Sequence, residues 1–385
     1  MRLVTTAHLE NSDRHNSTEP ASRATLPRRP HGTPLTLRTH PRPKGERMLR
    51  TGTIRVGLTA GALGLTLLAT ACGDGAGAPP GEGTGSSLAG KTIALVGYGN
   101  SNPWGAYFNK VYGEELASTG VKINDMTTMD PGTQVQKFNQ AVAQKPDLIA
   151  LSILDTQAMV VPIQKAKAAG VPVLAFDGPP DPSVADDVMS VLSDNEKLGE
   201  YAAQNIIEGL QAQGRDSGKI IVLTGTKSML VTQDRMKGFN RVLAGAPQYQ
   251  VVDEQDANWD PQLSGTIAQQ LFAKHGRDGV QAAFGMADYM ALPIIQAAKQ
   301  AGIPVGGKDG LIVTGGNCFK AGIDSIRAGE MYGTATEDPG TIAKQTADYT
   351  VRFLTGQNPP QREVIEEGRV TAATLDQFAE QCSKV

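Results

Sequence analysis

From residue 92 to residue 354 the chain alternates short apolar runs with longer amphipathic ones. The runs at 92–96, 147–152, 172–176, 188–192, 219–224, 280–284 and 311–314 are nearly continuous blocks rich in Val, Ile, Leu and Ala. That is the pattern of strands buried on both faces. Segments 121–126, 250–254 and 332–336 complete the predicted strands. Between them, 104–119, 131–144, 156–169, 195–213, 232–243, 261–274, 288–301, 320–328 and 339–354 read as helices. Local signals support these limits. Gly120 and Gly170 stop two helices, and Asp130-Pro131 opens another with a capping side chain followed by a proline at the first helical position.

Repeated strand–helix alternation predicts parallel sheets covered by helices on both faces. So many strands in under 300 residues exceed what a compact sheet carries, so the prediction is an α/β chain with two doubly wound parallel-sheet lobes. Ligands of such sheets bind at the carboxyl ends of the strands. The residues there are Gly97 to Trp104, Asp177-Gly178, Ser193-Asp194-Asn195, Thr226 to Ser228 with Arg235 beyond, and Ala257 to Asp260. Met286 to Asp288, Gly315 to Asn317 and Glu337-Asp338 follow. Both tryptophans of the chain, Trp104 and Trp259, fall in this set, one in each half. A lone Trp is commonly a core residue. Two at strand ends point instead to flat apolar platforms for a ring whose faces carry C–H groups and whose edge carries hydroxyls. Covering ~60 Å² of each indole contributes ~1.5 kcal/mol per ring.

The region before residue 91 changes the picture of where the chain works. Residues 1–47 are rich in Arg, Pro, His and Thr without apolar periodicity, and are expected to be a mis-called start or a disordered extension. Residues 48–71 read as a lipoprotein signal peptide. Arg50 and Arg55 precede 14 diluted apolar residues, 56–69, and small residues lead to Cys72. The run is short for a membrane span, which needs ~20 residues, and fits a secretory leader. Cys72 resembles the lipid-modified cysteine of a lipobox, although Ala69 stands where Leu, Val or Ile is usual. An ordinary signal peptide with an incidental cysteine is the alternative. The Gly-rich segment 72–90 would be a flexible tether. The expected location is extracytoplasmic, on the outer face of the cell membrane.

Of 36 Lys and Arg, 11 lie in 1–72, against 4 of 39 Asp and Glu, leaving 25 against 35 and a charge near −10 beyond the anchor. An acidic domain disfavours nucleic acid as a partner. His275 is the single histidine after residue 72, in a polar stretch expected to be solvated, which weakens His-dependent hydrolysis and a His-rich metal site. Cys318 and Cys382 are expected to form a disulfide in an exported chain, with two buried thiols as the alternative.

Asn102-Pro103-Trp104, Phe176-Asp177, Ser193-Asp194-Asn195 and Gln233 to Phe239 carry a family resemblance by their order and spacing. Asn258-Trp259-Asp260, Asp288 to Leu292 and Gly333 to Glu337 complete it. Over about 91–380 the chain resembles the type I periplasmic binding proteins, in the ribose/galactose branch that serves sugar ABC transporters. The resemblance implies an N-terminal lobe from 91–193 plus 338–367 and a C-terminal lobe from 194–337 plus 368–385, with three crossings near Ser193, Glu337 and Glu367. It implies a cleft lined by Asn102, Trp104, Asp177, Arg235, Asn258, Trp259, Asp288, Asn317 and Glu337, closing on a monosaccharide or polyol. It also implies a monomer that docks on membrane permease subunits and uses no metal, cofactor or catalytic residue. Three departures stand out. Gly178 replaces the usual Arg after the strand-four Asp, Ala287 replaces an Asn, and Asn317 with Glu337 exchange the usual acid and amide. The site loses a cation and keeps carboxylates, which favours neutral sugars, cyclitols or amino sugars over acidic ones. The rival readings are a receptor for a membrane kinase and, less favoured, a glycoside-processing enzyme using paired carboxyls. A repressor of related fold would need a basic DNA-binding segment where the anchor and tether stand. Gly97 to Ser101 lacks the spacing of a dinucleotide loop.

Overall fold

The computed structural model describes residues 87–384. The leader, Cys72 and nearly all of the tether lie outside the described residues.

The first five strands are β1 (Thr92–Val96), β2 (Lys122–Asp125), β3 (Leu148–Leu151), β4 (Val173–Asp177) and β5 (Met189–Ser193). They alternate with α1 (Pro103–Leu116), α2 (Pro131–Gln144) and α3 (Thr156–Ala168). Next come α4 (Asn195–Ala212), β6 (Gly218–Thr224), α5 (Leu230–Ala244), β7 (Tyr249–Asp256) and α6 (Pro261–His275). The chain continues through β8 (Ala282–Gly285), α7 (Asp288–Gln300), β9 (Ile312–Thr314), α8 (Lys320–Arg327), β10 (Gly333–Ala335) and α9 (Pro339–Leu354). It ends with β11 (Arg362–Ile365), β12 (Arg369–Thr371) and α10 (Leu375–Cys382).

Two six-stranded sheets result, ordered β11-β5-β4-β3-β1-β2 and β12-β10-β9-β8-β6-β7. The first is wholly parallel. The second is parallel except for β12, which runs antiparallel to β10. The last three elements escape the sequence pattern for a physical reason. β11 is an edge strand with an exposed–intermediate alternation rather than an apolar block, and β12 has three residues. Their pairing is set by partners more than 150 residues earlier in one case and by the antiparallel return in the other.

The chain leaves the first sheet after Ser193, returns between Ala335 and Pro339, and leaves again between Ile365 and Arg369. Helix α9 packs on α1, β4 and β5, which fixes the return. Helices α4 and α5 approach backbone to backbone. A Cβ on Gly199 would stand 1.9 Å from the Arg235 carbonyl oxygen, and one on Gly238 would stand 1.9 Å from that of Glu196. This contact sets Arg235 on α5 beside Asn195 at the start of α4, next to the first crossing. Asn102, Asp130, Asp155, Asp194, Asp260 and Asp338 cap their helices with side-chain acceptors. Each such cap stabilises by about 1 kcal/mol. Cys318, before α8, is bonded to Cys382 at the end of α10, with Cα atoms 5.1 Å apart, and ties the C-terminus to the second lobe. His275 is not solvated as expected: its Nε2 lies 3.1 Å from Asp253 Oδ2, and Lys274 shares that carboxylate.

Candidate cleft between the lobes

The carboxyl ends of both sheets face one cavity. Asn102, Trp104 and Asp177 reach its wall from the first lobe. Arg235, Trp259 and Asn317 reach it from the second, and Glu337 from the second crossing. The lobes meet around this space. Thr156 N donates to Ser228 O and Leu230 N to Thr156 Oγ1, both at 3.3 Å. Ser228 Oγ donates to Leu154 O at 3.3 Å, and Asn102 Nδ2 donates to Tyr289 Oη across the cavity at 3.3 Å.

Backbone conformation aims several of these side chains. Asp177, Asn258, Trp259, Asn317 and Cys318 all have positive φ, between 52° and 82°. Such conformations are uncommon outside glycine and cost of order 1–3 kcal/mol where unfavourable. All five follow strand ends or close them. The strain is therefore concentrated at the rim, and three of the five residues form cavity wall.

Trp104 stacks on Phe108, with ring centroids 5.4 Å apart and planes 10° apart, and Phe108 stacks in turn on Phe176 at 4.0 Å. Its Nε1 donates to Glu337 O at 3.4 Å. Trp259 donates its Nε1 to Met229 Sδ at 3.1 Å and lies 5.0 Å from the Arg235 guanidinium carbon. Gly225 makes room for the indole, since a Cβ there would fall 1.8 Å from a ring carbon. Both indoles thus use one side and their N–H within the protein and present their remaining surface to the cavity.

The polar wall is a connected network. Arg235, 1% exposed, donates Nε to Asn195 Oδ1 at 2.8 Å, one terminal nitrogen to Met286 O at 2.7 Å and the other to Glu337 Oε2 at 2.8 Å. Asn317 Nδ2 also donates to Glu337 Oε2. Asp177 accepts from Tyr98 Oη at 2.9 Å and Ser193 Oγ at 3.4 Å. Burial raises the Glu337 carboxyl well above the usual carboxylate range; Arg235 opposes the shift and Asp177 adds to it. Burial likewise raises Glu367 at the third crossing, whose Oε2 accepts from Thr336 Oγ1 at 2.9 Å. A buried charged pair is tolerated only when its remaining lone pairs and protons are bonded, and Asn195, Met286 and Asn317 do that here.

Two expected wall residues stand elsewhere. Asn258 is exposed; its Oδ1 accepts from Thr226 Oγ1 at 3.4 Å, and the turn that carries Trp259 inward carries Asn258 out. Asp288 is fully buried beneath the wall. It accepts from Phe319 N and Thr334 Oγ1, both at 2.7 Å, and joins α7, the start of α8 and β10. Burial pushes its carboxyl up to about 7. A strand-end position alone does not say whether a side chain turns toward the cleft or back into its lobe. The wall also contains Tyr98, Met129, Met229, Val231 and Tyr289, which were not anticipated. Tyr98 lies two residues beyond Val96 yet packs with Ile93, Leu95 and Trp104 rather than with Val96, so strand alternation did not place it. The others depend on the partner lobe's position.

A profile of the periplasmic binding protein domain matches residues 93–358. The chain belongs to the type I periplasmic binding proteins, in their sugar-binding ribose/galactose branch. Relatives of this periplasmic binding protein include the ribose import binding protein RbsB of Bacillus subtilis, 27% identical over 69% of this chain and 82% of the relative. The fructose import binding protein FruE of Bifidobacterium longum is 25% identical over 83% of this chain and 94% of its own. A xylitol-binding protein of Mycolicibacterium smegmatis is 26% identical over 74% and 75%. Among solved structures, a galactofuranose-binding protein superposes with TM-score 0.69 at 18% identity, covering 76% of this chain and 98% of its own. These relatives are binding proteins of sugar transport, not enzymes.

Proposed function

We propose that the protein is a lipid-anchored extracytoplasmic receptor that closes its two lobes on one monosaccharide, cyclitol or related polyol and presents it to an ABC permease. The observation that carries the reading is the cavity itself. Its walls come from both lobes and include both indoles, the Arg235–Glu337 pair, Asp177, Asn102 and Asn317. Its lining combines apolar rings with a few convergent polar groups, the usual make-up of a small-molecule site. Ligand binding draws the lobes together because the closed form alone presents both walls. The relatives are named for ribose, fructose and xylitol, each a single small polyhydroxylated molecule.

Thermal unfolding of the purified protein with pentoses, hexoses and cyclitols at millimolar concentration tests this directly. A binder should raise the melting temperature by mass action; a flat response to the whole set would refute the reading. For the anchor, Cys72→Ser is expected to release the protein into the medium. Retention of that variant in the membrane fraction would speak against lipid attachment.

A further inference from the structure

We propose that the cavity prefers a polyol bearing a protonated amine, an amino sugar or amino cyclitol, over the neutral counterpart. The inference rests on the solute-binding reading above and narrows its ligand class.

Acidic and basic side chains on the wall are unequal in number. Among the described residues that line the cavity, two carboxyl groups, Asp177 and Glu337, face one guanidinium, Arg235. That guanidinium is already committed on all three nitrogens, to Asn195, Met286 and Glu337. Asp177 is held by the neutral hydroxyls of Tyr98 and Ser193. A buried carboxylate without a cation is costly, and a cation supplied by the ligand offsets that cost.

Hydrogen-bond capacity points the same way. Asn317 is 2% exposed and its Oδ1 has no donor, while its Nδ2 is used on Glu337. The open capacity of this wall is therefore mainly for donors. An ammonium supplies three and a positive charge, whereas a hydroxyl supplies one and no charge. The indoles of Trp104 and Trp259 accept a nearby cation on their negative faces. A Cβ at Gly178 would fall 2.5 Å from Val231 Cγ2, so this position brings no second cation to the wall.

Proton balance gives a separate readout. Asp177, Arg235, Tyr98, Tyr289 and Glu367 are the titratable groups that bear on Glu337. Burial, first, and Asp177 raise the Glu337 carboxyl above the usual carboxylate range, and Arg235 opposes them. An ammonium placed beside Glu337 favours its ionised form, so binding should release protons to the buffer.

The test is calorimetry at pH 7 with matched pairs: glucose and glucosamine, galactose and galactosamine, mannose and mannosamine, myo-inositol and scyllo-inosamine. N-acetylated amino sugars serve as uncharged controls. The expected result is at least one amine binding tenfold or more tighter than its neutral partner, about 1.4 kcal/mol. Its heat should vary with buffer ionisation enthalpy, and acetylation should abolish the preference. In Glu337→Gln, and independently in Asp177→Asn, the preference should shrink to within about threefold. Neutral sugars binding as well as or better than every amine would overturn the inference and leave the solute-binding reading intact. A preference that survives both variants would also overturn it. Binding by no member of the panel would count against both.

Discussion

Trp259 and Asn258 are adjacent, share a left-handed backbone at φ 57° and 52°, and have opposite fates. One indole is 7% exposed on the cavity wall, while its neighbour's amide faces solvent. Trp259→Ala should weaken sugar binding by about 1–3 kcal/mol, the range of truncated aromatic anchors, measured by calorimetry against the best ligand. Asn258→Gly preserves the turn, since glycine adopts this conformation readily. Its dissociation constant should stay within about twofold of the parent; a tenfold change would return Asn258 to the site.

Asp288 ties three elements together through its two short bonds. Its carboxyl titrates near 7 when folded, above the ordinary 3.8, because it is buried. Between about pH 4 and pH 7 the folded protein therefore holds more protons here than the unfolded chain does. Stability from this group is intact below pH 4 and falls as pH rises to 7, by at most ~1.4 kcal/mol per unit. Glu337 and Glu367 are shifted in the same direction. Urea unfolding at pH 5 and pH 8 should show the parent less stable at pH 8, and Asp288→Asn should reduce the difference. An equal difference in the variant would remove Asp288 as its source. The Cys318–Cys382 bond closes a separation of 64 residues, so replacing both by serine should cost about 4 kcal/mol in the chain-entropy account, read as a lowered denaturation midpoint.

At the scale of the molecule, closure brings Gly178 of the first lobe onto Val231 of the second. Gly178→Val should hold the lobes apart and weaken ligand binding by tenfold or more. The melting temperature without ligand should stay close to that of the parent, since the clash arises between lobes and not within one. Small-angle scattering with ligand should show a larger radius of gyration for the variant. Tight binding with normal compaction would mean that Val231 yields.

The apolar blocks of β1, β3, β4 and β6 and the Asp and Asn caps before the helices were legible from the chain alone. They encode local conformation and burial on both sheet faces, and from them the two-lobed parallel architecture follows. The edge strands β11 and β12 were not, because β11 pairs with a strand far earlier in the chain, β12 is a three-residue antiparallel return onto β10, and their own patterns are weak. Strand-end positions marked where a site can form, and Asp177, Arg235, Trp259 and Glu337 do gather there. Whether a given rim side chain faces the cleft was decided by tertiary structure. Turn geometry sent Asn258 outward, burial drew Asp288 under β10, and lobe closure brought Tyr289 and Val231 to the wall. Sequence specifies periodicity along one chain; a cavity between two lobes depends on which surfaces meet, and that is settled only when long-range packing sets their distance and angle.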